Sequence, residues 1–203
     1  NTFCLTRDNY AFISHHIGDL ENFETLKSYE EAITHYEKLF RIQPELIASD
    51  LHPDYLASRF AIQKSIENSI PNIKIQHHHA HLGACLADNQ WNKDELVIGL
   101  IYDGTGYGTD GAIWGGEILV GNYAQYERNY HLKYVPQPGG DVSVRIPARM
   151  ALSHLWEYGI EWENSLPSVS ALCMEEKTAL NVQIERRINT PQTSSMGRLF
   201  DAI

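Results

Sequence analysis

One segment constrains the fold of this chain more than any other: Leu96-Val97-Ile98-Gly99-Leu100-Ile101-Tyr102 is a nearly continuous apolar run. A strand with that pattern is ordinarily covered on both faces, which takes helices. The segments around it read the same way. Residues 2–6 and 10–16 are apolar and β-rich, and Arg7-Asp8-Asn9 between them predicts a hairpin. Leu26, Tyr29, Ile33, Tyr36, Leu39 and Phe40 recur at helical spacing over residues 26–42, with Pro44 ending the run. Leu46-Ile47-Ala48 predicts a short strand. Asp50-Leu51-His52-Pro53 opens a second helix, with Pro53 in its first turn and apolar positions at Leu56, Phe60, Ile62 and Ile66. Ile73-Lys74-Ile75 predicts a third strand.

Downstream of the apolar run come a glycine-rich turn and strands over 112–120 and 123–135. A loop at 136–140, helices over 147–158 and 175–188, an irregular stretch at 159–170 and a loop at 190–195 follow. This order predicts two α/β lobes, 1–90 and 91–203, each a mixed sheet covered by helices, with the linker at residues 89–94. The length of 203 residues suits one large domain or two small lobes, and 43% hydrophobic with 21% charged residues is ordinary for a globular protein.

Charge and cysteine usage narrow the function classes. Sixteen Lys and Arg against 26 Asp and Glu leave a net charge of −10, which argues against general attraction to nucleic acid while leaving a local basic pocket open. No apolar run reaches membrane-spanning length and no secretory leader is visible. Cys4, Cys85 and Cys173 are odd in number with no C-x-x-C spacing, excluding a disulfide framework or cysteine zinc finger and fitting a reduced, cytoplasmic setting. The start at Asn1 inside a strand-like run, and the helix-like close Arg198-Leu199-Phe200-Asp201-Ala202-Ile203, read as an internal piece of a longer chain.

Two motifs carry chemistry. Gln76-His77-His78-His79-Ala80-His81 opens a predicted helix over 77–89, which places His77 and His81 one turn apart, able to grip one metal ion. His78 and His79 point elsewhere, as orienters or substrate contacts. The competing reading is a polar helix start that merely tolerates imidazoles. A zinc protease lacks its general base here, because His78 follows His77 where H-E-x-x-H has glutamate. The second motif is Asp103-Gly104-Thr105-Gly106-Tyr107-Gly108-Thr109-Asp110-Gly111, after the apolar strand. Its alternating glycines permit positive φ, so consecutive backbone amides could converge on an anion as a hairpin cradle over phosphates, with Asp103 at the end of the strand a natural metal ligand. A plain hairpin turn is the alternative. The motif is neither a Rossmann fingerprint nor a Walker A loop.

Lesser candidates are Pro138-Gly139-Gly140-Asp141, a ligand-closing segment or simple loop, and Arg145 and Arg149, phosphate neutralisers or solvated side chains. His15, His16, His52 and Asp54 are cleft-facing or structural, and Cys85 is expected to be a small core residue.

Six signatures, taken in order, resemble one family: the opening Asn1 to Leu5, Ser14 to Leu20, Asp50 to Tyr55, Gln76 to His81, Asp103 to Gly111 with Trp114-Gly115-Gly116-Glu117, and Thr193 to Ala202. The family is HypF, the carbamoyltransferase of [NiFe]-hydrogenase maturation, in its Kae1-like domain. The resemblance implies the actin-like fold of two ribonuclease-H-like lobes. It implies chemistry in which carbamoyl phosphate and ATP give carbamoyl-adenylate, and the carbamoyl group passes to the C-terminal cysteine of HypE. On the matching positions, His77, His81 and Asp103 would hold a zinc or iron ion. Gly104, Thr105, Gly106 and Gly108 would cradle phosphate, and Arg198 would stand on the ligand side. ATP with magnesium and HypE are the implied partners, with no nucleic acid or membrane.

The family's acylphosphatase, cysteine zinc-finger and YrdC-like domains have no counterpart in this sequence. Its first phosphate turn is expected before Asn1, and a further metal aspartate beyond Ile203. Two other readings stand beside this one. A Kae1-type tRNA threonylcarbamoyl transferase shares H-x-x-x-H, but its phosphate turn reads Ser-Gly-Gly-Asn-Thr. The other is a non-catalytic scaffold that binds metal and nucleotide and docks HypE.

Overall fold

A computed structural model describes residues 1–20 and 22–203. The chain forms two compact units, Asn1–Ile75 and Gln76–Ile203.

In the first unit, β1 (Cys4–Arg7) and β2 (Tyr10–Ile13) pair as the expected antiparallel hairpin, turned by Asp8 at φ 53°. Helix α1 (Phe23–Phe40) starts where Asn22 Oδ1 accepts from Thr25 N at 2.8 Å and stops at Arg41, which is left-handed. Strands β3 (Ile47–Asp50) and β4 (Asn72–Ile75) pair in parallel, connected through α2 (Leu56–Asn68). Pro53 precedes α2 instead of lying in its first turn. Asp50 Oδ1 takes His52 N at 2.7 Å and His52 Nδ1 takes Asp54 N at 3.1 Å, which holds this stretch as a turn. The core is Phe3, Tyr29 and Ile33, with Phe3 meeting Tyr29 edge-on at 5.7 Å.

The second unit begins with α3 (His77–Asp88), followed by β5 (Val97–Tyr107), β6 (Ile113–Gly121), β7 (Tyr126–His131) and β8 (Val135–Pro136). Helices α4 (Asp141–Arg145), α5 (Pro147–Glu157), α6 (Pro167–Ser170) and α7 (Met174–Arg186) come next, then β9 (Gln192–Thr193) and α8 (Met196–Phe200). The sheet runs β5-β6-β9-β8 with β7 also on β6. It is mixed: β5, β6 and β7 are antiparallel neighbours, while β9 joins β6 in parallel. The strand expected over 123–135 is two strands, β7 and β8, because the chain leaves β6 after His131 and pairs again only at Val135, with β9.

Two cores hold this unit. Leu82 and Leu86 of α3 pack on Ile101 and Leu119, and Leu152, Val169, Leu172, Leu180 and Ile184 fill the space among α5, α6 and α7. The first core explains why α3 belongs to the second compact unit, which begins at Gln76. It also corrects the reading of the apolar run. Ile101 is buried under α3, but Ile98 and Leu100 on the opposite face are 72% and 59% exposed. Among the described residues, no helix is long and apolar enough to cross a membrane.

Candidate metal centre

Helix α3 delivers both histidines from one face. Its start is fixed by Gln76, whose Oε1 accepts from His79 N at 3.0 Å while its Nε2 donates to Tyr107 O at 3.1 Å, tying the helix to the end of β5. His77 and His81 then project one above the other, with their Nε2 atoms 3.2 Å apart. Asp103 comes to them from β5. Its Oδ2 lies 3.0 Å from His77 Nε2 and 3.6 Å from His81 Nε2. Among the described residues, these three form the one cluster whose ligand atoms all lie within 4.8 Å of one another.

The edges of this triangle suit a cation. Ligands about 2.0–2.1 Å from a tetrahedral ion stand about 3.4 Å apart, and the three observed separations straddle that value. Asp103 Oδ2 is shielded from solvent and receives no hydrogen bond of good geometry, so its lone pairs face the imidazoles unused. Burial raises the Asp103 carboxyl, but the contacts with His77 and His81 and the Gly104 amide outweigh burial and hold it well below the usual range. Two imidazoles and a carboxylate are a donor set suited to zinc or iron, and three protein ligands leave positions open. His81, about half-exposed, lies on the open side.

The glycine motif serves this geometry differently from the expected turn. Asp103 to Tyr107 are part of β5, and the pairing with β6 shifts register between Tyr102 and Gly106, so Asp103 sits on a bulge. The tight turn lies further on, where Gly108 N donates to Ala112 O at 2.9 Å. Among these glycines only Gly111 has positive φ. Glycine is required at Gly106 for closeness, because a Cβ there would stand 2.3 Å from His78 Cε1 and 2.9 Å from His77 Cδ2. Gly104 N is engaged by Asp103 Oδ1 at 2.6 Å, and Gly108 N by Ala112, so neither amide is held out for an anion. Thr105 is exposed on the bulge. The nearest side-chain atom to the Cβ position of Gly104 is Arg198 Nη2, at 3.7 Å. Arg198 itself is nearly buried, with Nη1 3.1 Å from Asp201 Oδ2.

The other candidates separate cleanly. His78 is fully buried beside Gly106, its Nδ1 3.2 Å from Gln76 Nε2, and burial together with the nearby His77 pushes its pKa down to about 4. His79 Nε2 is 2.8 Å from Asn122 O. Both are therefore packing groups of α3, not members of the cluster. Arg149 donates to Pro138 O and to Gln183 Oε1, which makes it a brace within the α5 region. Asp141 starts α4, so the Pro138-Gly139-Gly140-Asp141 segment leads into a helix, and Arg145 is an exposed residue in its last turn. His15, His16, His52 and Asp54 belong to the first unit, where His52 stacks on Tyr55 at 4.1 Å. Cys85 is exposed, not in the core, because it lies on the His81 side of α3, away from Leu82 and Leu86.

Sequence reasoning passed over a buried network behind Asp103. Glu117 on β6 is bonded to Arg128 Nε at 2.5 Å. The Arg128 guanidinium lies 4.0 Å over the Trp114 ring and reaches Asp110 and Tyr134 through Nη1. Burial and the Asp110 contact raise the Tyr134 hydroxyl to about 12. The available signal was a glutamate directly after two glycines, inside an otherwise apolar strand.

A mixed α/β unit with two helix-borne imidazoles opposite a bulge-borne carboxylate defines the class: a protein with a candidate mononuclear metal centre. Comparison with known proteins is specific. Residues 99–203 match the family model described as carbamoyltransferase, Kae1-like domain, second subdomain, and residues 1–88 match the HypF Kae1-like domain. The chain belongs to the HypF carbamoyltransferase family, in its Kae1-like domain. It is 42% identical to Carbamoyltransferase HypF2 of Cupriavidus necator, covering 100% of this chain and 24% of the relative. It is 39% identical to Carbamoyltransferase HypF of Rhodobacter capsulatus, covering 98% and 27%. A crystal structure of full-length HypF in the phosphate- and nucleotide-bound form superposes with a TM-score of 0.90 at 48% identity, covering 100% of this chain and 26% of that one. The chain thus spans about a quarter of the length of these relatives.

Proposed function

We propose that this chain forms part of a cytoplasmic carbamoyltransferase of [NiFe]-hydrogenase maturation, built on the actin-like pair of ribonuclease-H-like lobes. In this reading it moves a carbamoyl group from carbamoyl-adenylate to the C-terminal cysteine of HypE. The observation that carries it is the convergence of His77, His81 and Asp103 on one point, in a chain that matches HypF proteins from end to end. His77, His81 and Asp103 would hold a zinc or iron ion. That ion, when bound, supplies a Lewis acid for oxygen charge on a phosphate.

The chain's own residues then have distinct tasks. Asp103 stays ionised and gives Oδ2 to the cation site, while its Oδ1 is occupied by Gly104 N. Arg198 sets a fixed positive charge beside the bulge, within 3.7 Å of the Cβ position of Gly104, where it and the exposed Thr105 would meet the nucleotide's phosphate oxygens, the Gly104 and Gly108 amides being taken by Asp103 Oδ1 and Ala112 O. In the transfer, a thiolate sulfur attacks the carbamoyl carbon, the carbon–oxygen bond to AMP breaks, and AMP leaves with the electron pair. The thiolate belongs to the acceptor, since Cys4, Cys85 and Cys173 are free, exposed and outside the histidine–aspartate cluster.

A chimera tests this. This chain replaces the corresponding quarter of a full-length HypF relative, and the chimera is supplied with ATP, HypE and carbamoyl phosphate labelled on carbon. The label is expected on the HypE C-terminal cysteine and is expected to disappear with His77→Ala plus His81→Ala. Undiminished labelling by the double variant overturns the assignment of the centre, and the absence of label from HypE with the unsubstituted chimera overturns the acceptor.

A further inference from the structure

Glu117 is completely buried, and a buried carboxylate is costly unless its lone pairs are used. All of them are. Oε1 accepts from Gly115 N at 3.0 Å, Gly116 N at 3.2 Å and Ser194 Oγ at 2.5 Å, and Oε2 accepts from Arg128 Nε. Burial raises the Glu117 carboxyl, but Arg128, Ser194 and the two amides outweigh burial and hold it below its usual range.

What those partners touch gives the carboxylate its meaning. A Cβ on Gly115 would stand 2.5 Å from Asp103 O and 3.0 Å from Ser195 Cα, so three backbones meet there without a side chain between them. Ser195, next to Ser194, has its hydroxyl 2.8 Å from the carbonyl oxygens of both Asp103 and Gly104. Gly197 also packs closely there, since a Cβ on it would stand 2.8 Å from Gly104 Cα. The Asp103 carbonyl therefore lies against both Gly115 and Ser195, and Glu117 bonds Gly115 directly and Ser194, the neighbour of Ser195.

We propose that Glu117 is a positioning residue for the metal centre: by fixing Gly115, Gly116 and Ser194 it fixes the Asp103–Gly104 bulge, so that Asp103 Oδ2 faces His77 and His81. This rests on the reading of those three residues as metal ligands. Glu117 touches no ligand atom of the centre. It acts through main chain, as an outer partner that orients a ligand.

The test uses the full chain with zinc chloride, read by calorimetric titration, and with cobalt(II), read by visible absorption. Glu117→Gln is expected to weaken zinc binding about 10- to 100-fold and to change the cobalt spectrum. Ser194→Ala removes one bond while Glu117 keeps its other partners, and is expected to shift both readings the same way, by less. Leu180→Ala, in the core among α5, α6 and α7, lowers the melting temperature and is expected to leave affinity and spectrum unchanged, which separates positioning from general loosening. A folded Glu117→Gln protein with unaltered zinc affinity and cobalt spectrum overturns the proposal. Should that variant not fold, unaltered readings for Ser194→Ala overturn it instead. If the unsubstituted chain binds neither ion, the metal reading falls and takes this proposal with it. If it binds them and His77→Ala plus His81→Ala does not, while Glu117→Gln and Ser194→Ala bind normally, only the positioning role falls.

Discussion

Four imidazoles stand within one turn and a half of α3, and they meet opposite fates. His77 and His81 keep their Nε2 atoms together, beside a carboxylate and open to solvent on the His81 side. His78 and His79 turn into the protein, one sealed under the bulge glycine and the other reaching a backbone carbonyl. The difference is angular. Residues one turn apart share a face, and the two between them are carried round toward β5, β6 and the turn after β6. Composition at a position says little. The surface that the position faces decides whether an imidazole is a ligand or a piece of packing.

Substitutions can break this contrast, in order of expected effect. His77→Ala with His81→Ala is expected to take bound zinc from one ion per chain to none by elemental analysis, while stability without metal stays within about 1 kcal/mol because both side chains are partly exposed. His78→Ala should do the reverse. Its cavity beside Gly106 and Trp114 is expected to cost about 2 to 4 kcal/mol in urea unfolding, and the zinc count is expected to stay at one.

The carboxylates extend the contrast, since Asp103 faces the centre and Glu117 is locked behind it. Glu117 titrates below its unfolded value of about 4.3. Its contribution is therefore complete above that pH and is lost as pH falls below it toward the folded value. Glu117→Gln is expected to flatten the acid limb of a stability-against-pH curve below about pH 4, with the neutral limb lowered throughout. The smallest effect is that of His79→Ala, expected to cost about 1 kcal/mol through the lost bond to Asn122 O, with zinc binding unchanged by titration.

Much of this was legible in the residues. The hairpin at Arg7-Asp8-Asn9, the helix running from near Leu26, and the pairing of His77 with His81 all follow from local chemistry, which the tertiary structure leaves in force. The bulge at Asp103 was not legible. Alternating glycines look like a turn, whereas here their use is the absence of a Cβ against His78 and Trp114, which depends on what folds back over them. The exposed face of β5 was missed for a similar reason. An apolar pattern states that a surface wants cover, and it does not state which segment covers it. The Glu117 network escaped because Arg128 meets it only through the pairing of β6 with β7, and Ser194, 77 residues on, only once the approach to α8 is assembled.

The most direct measurement is X-ray absorption at the metal edge of the zinc-loaded chain. The expected spectrum has two imidazole nitrogens and a carboxylate oxygen at about 2.0–2.1 Å, and the His77→Ala, His81→Ala protein is expected to retain no zinc and give no such spectrum. A first shell containing sulfur, or one unchanged by removing both imidazoles, would contradict the placement of the ion among His77, His81 and Asp103.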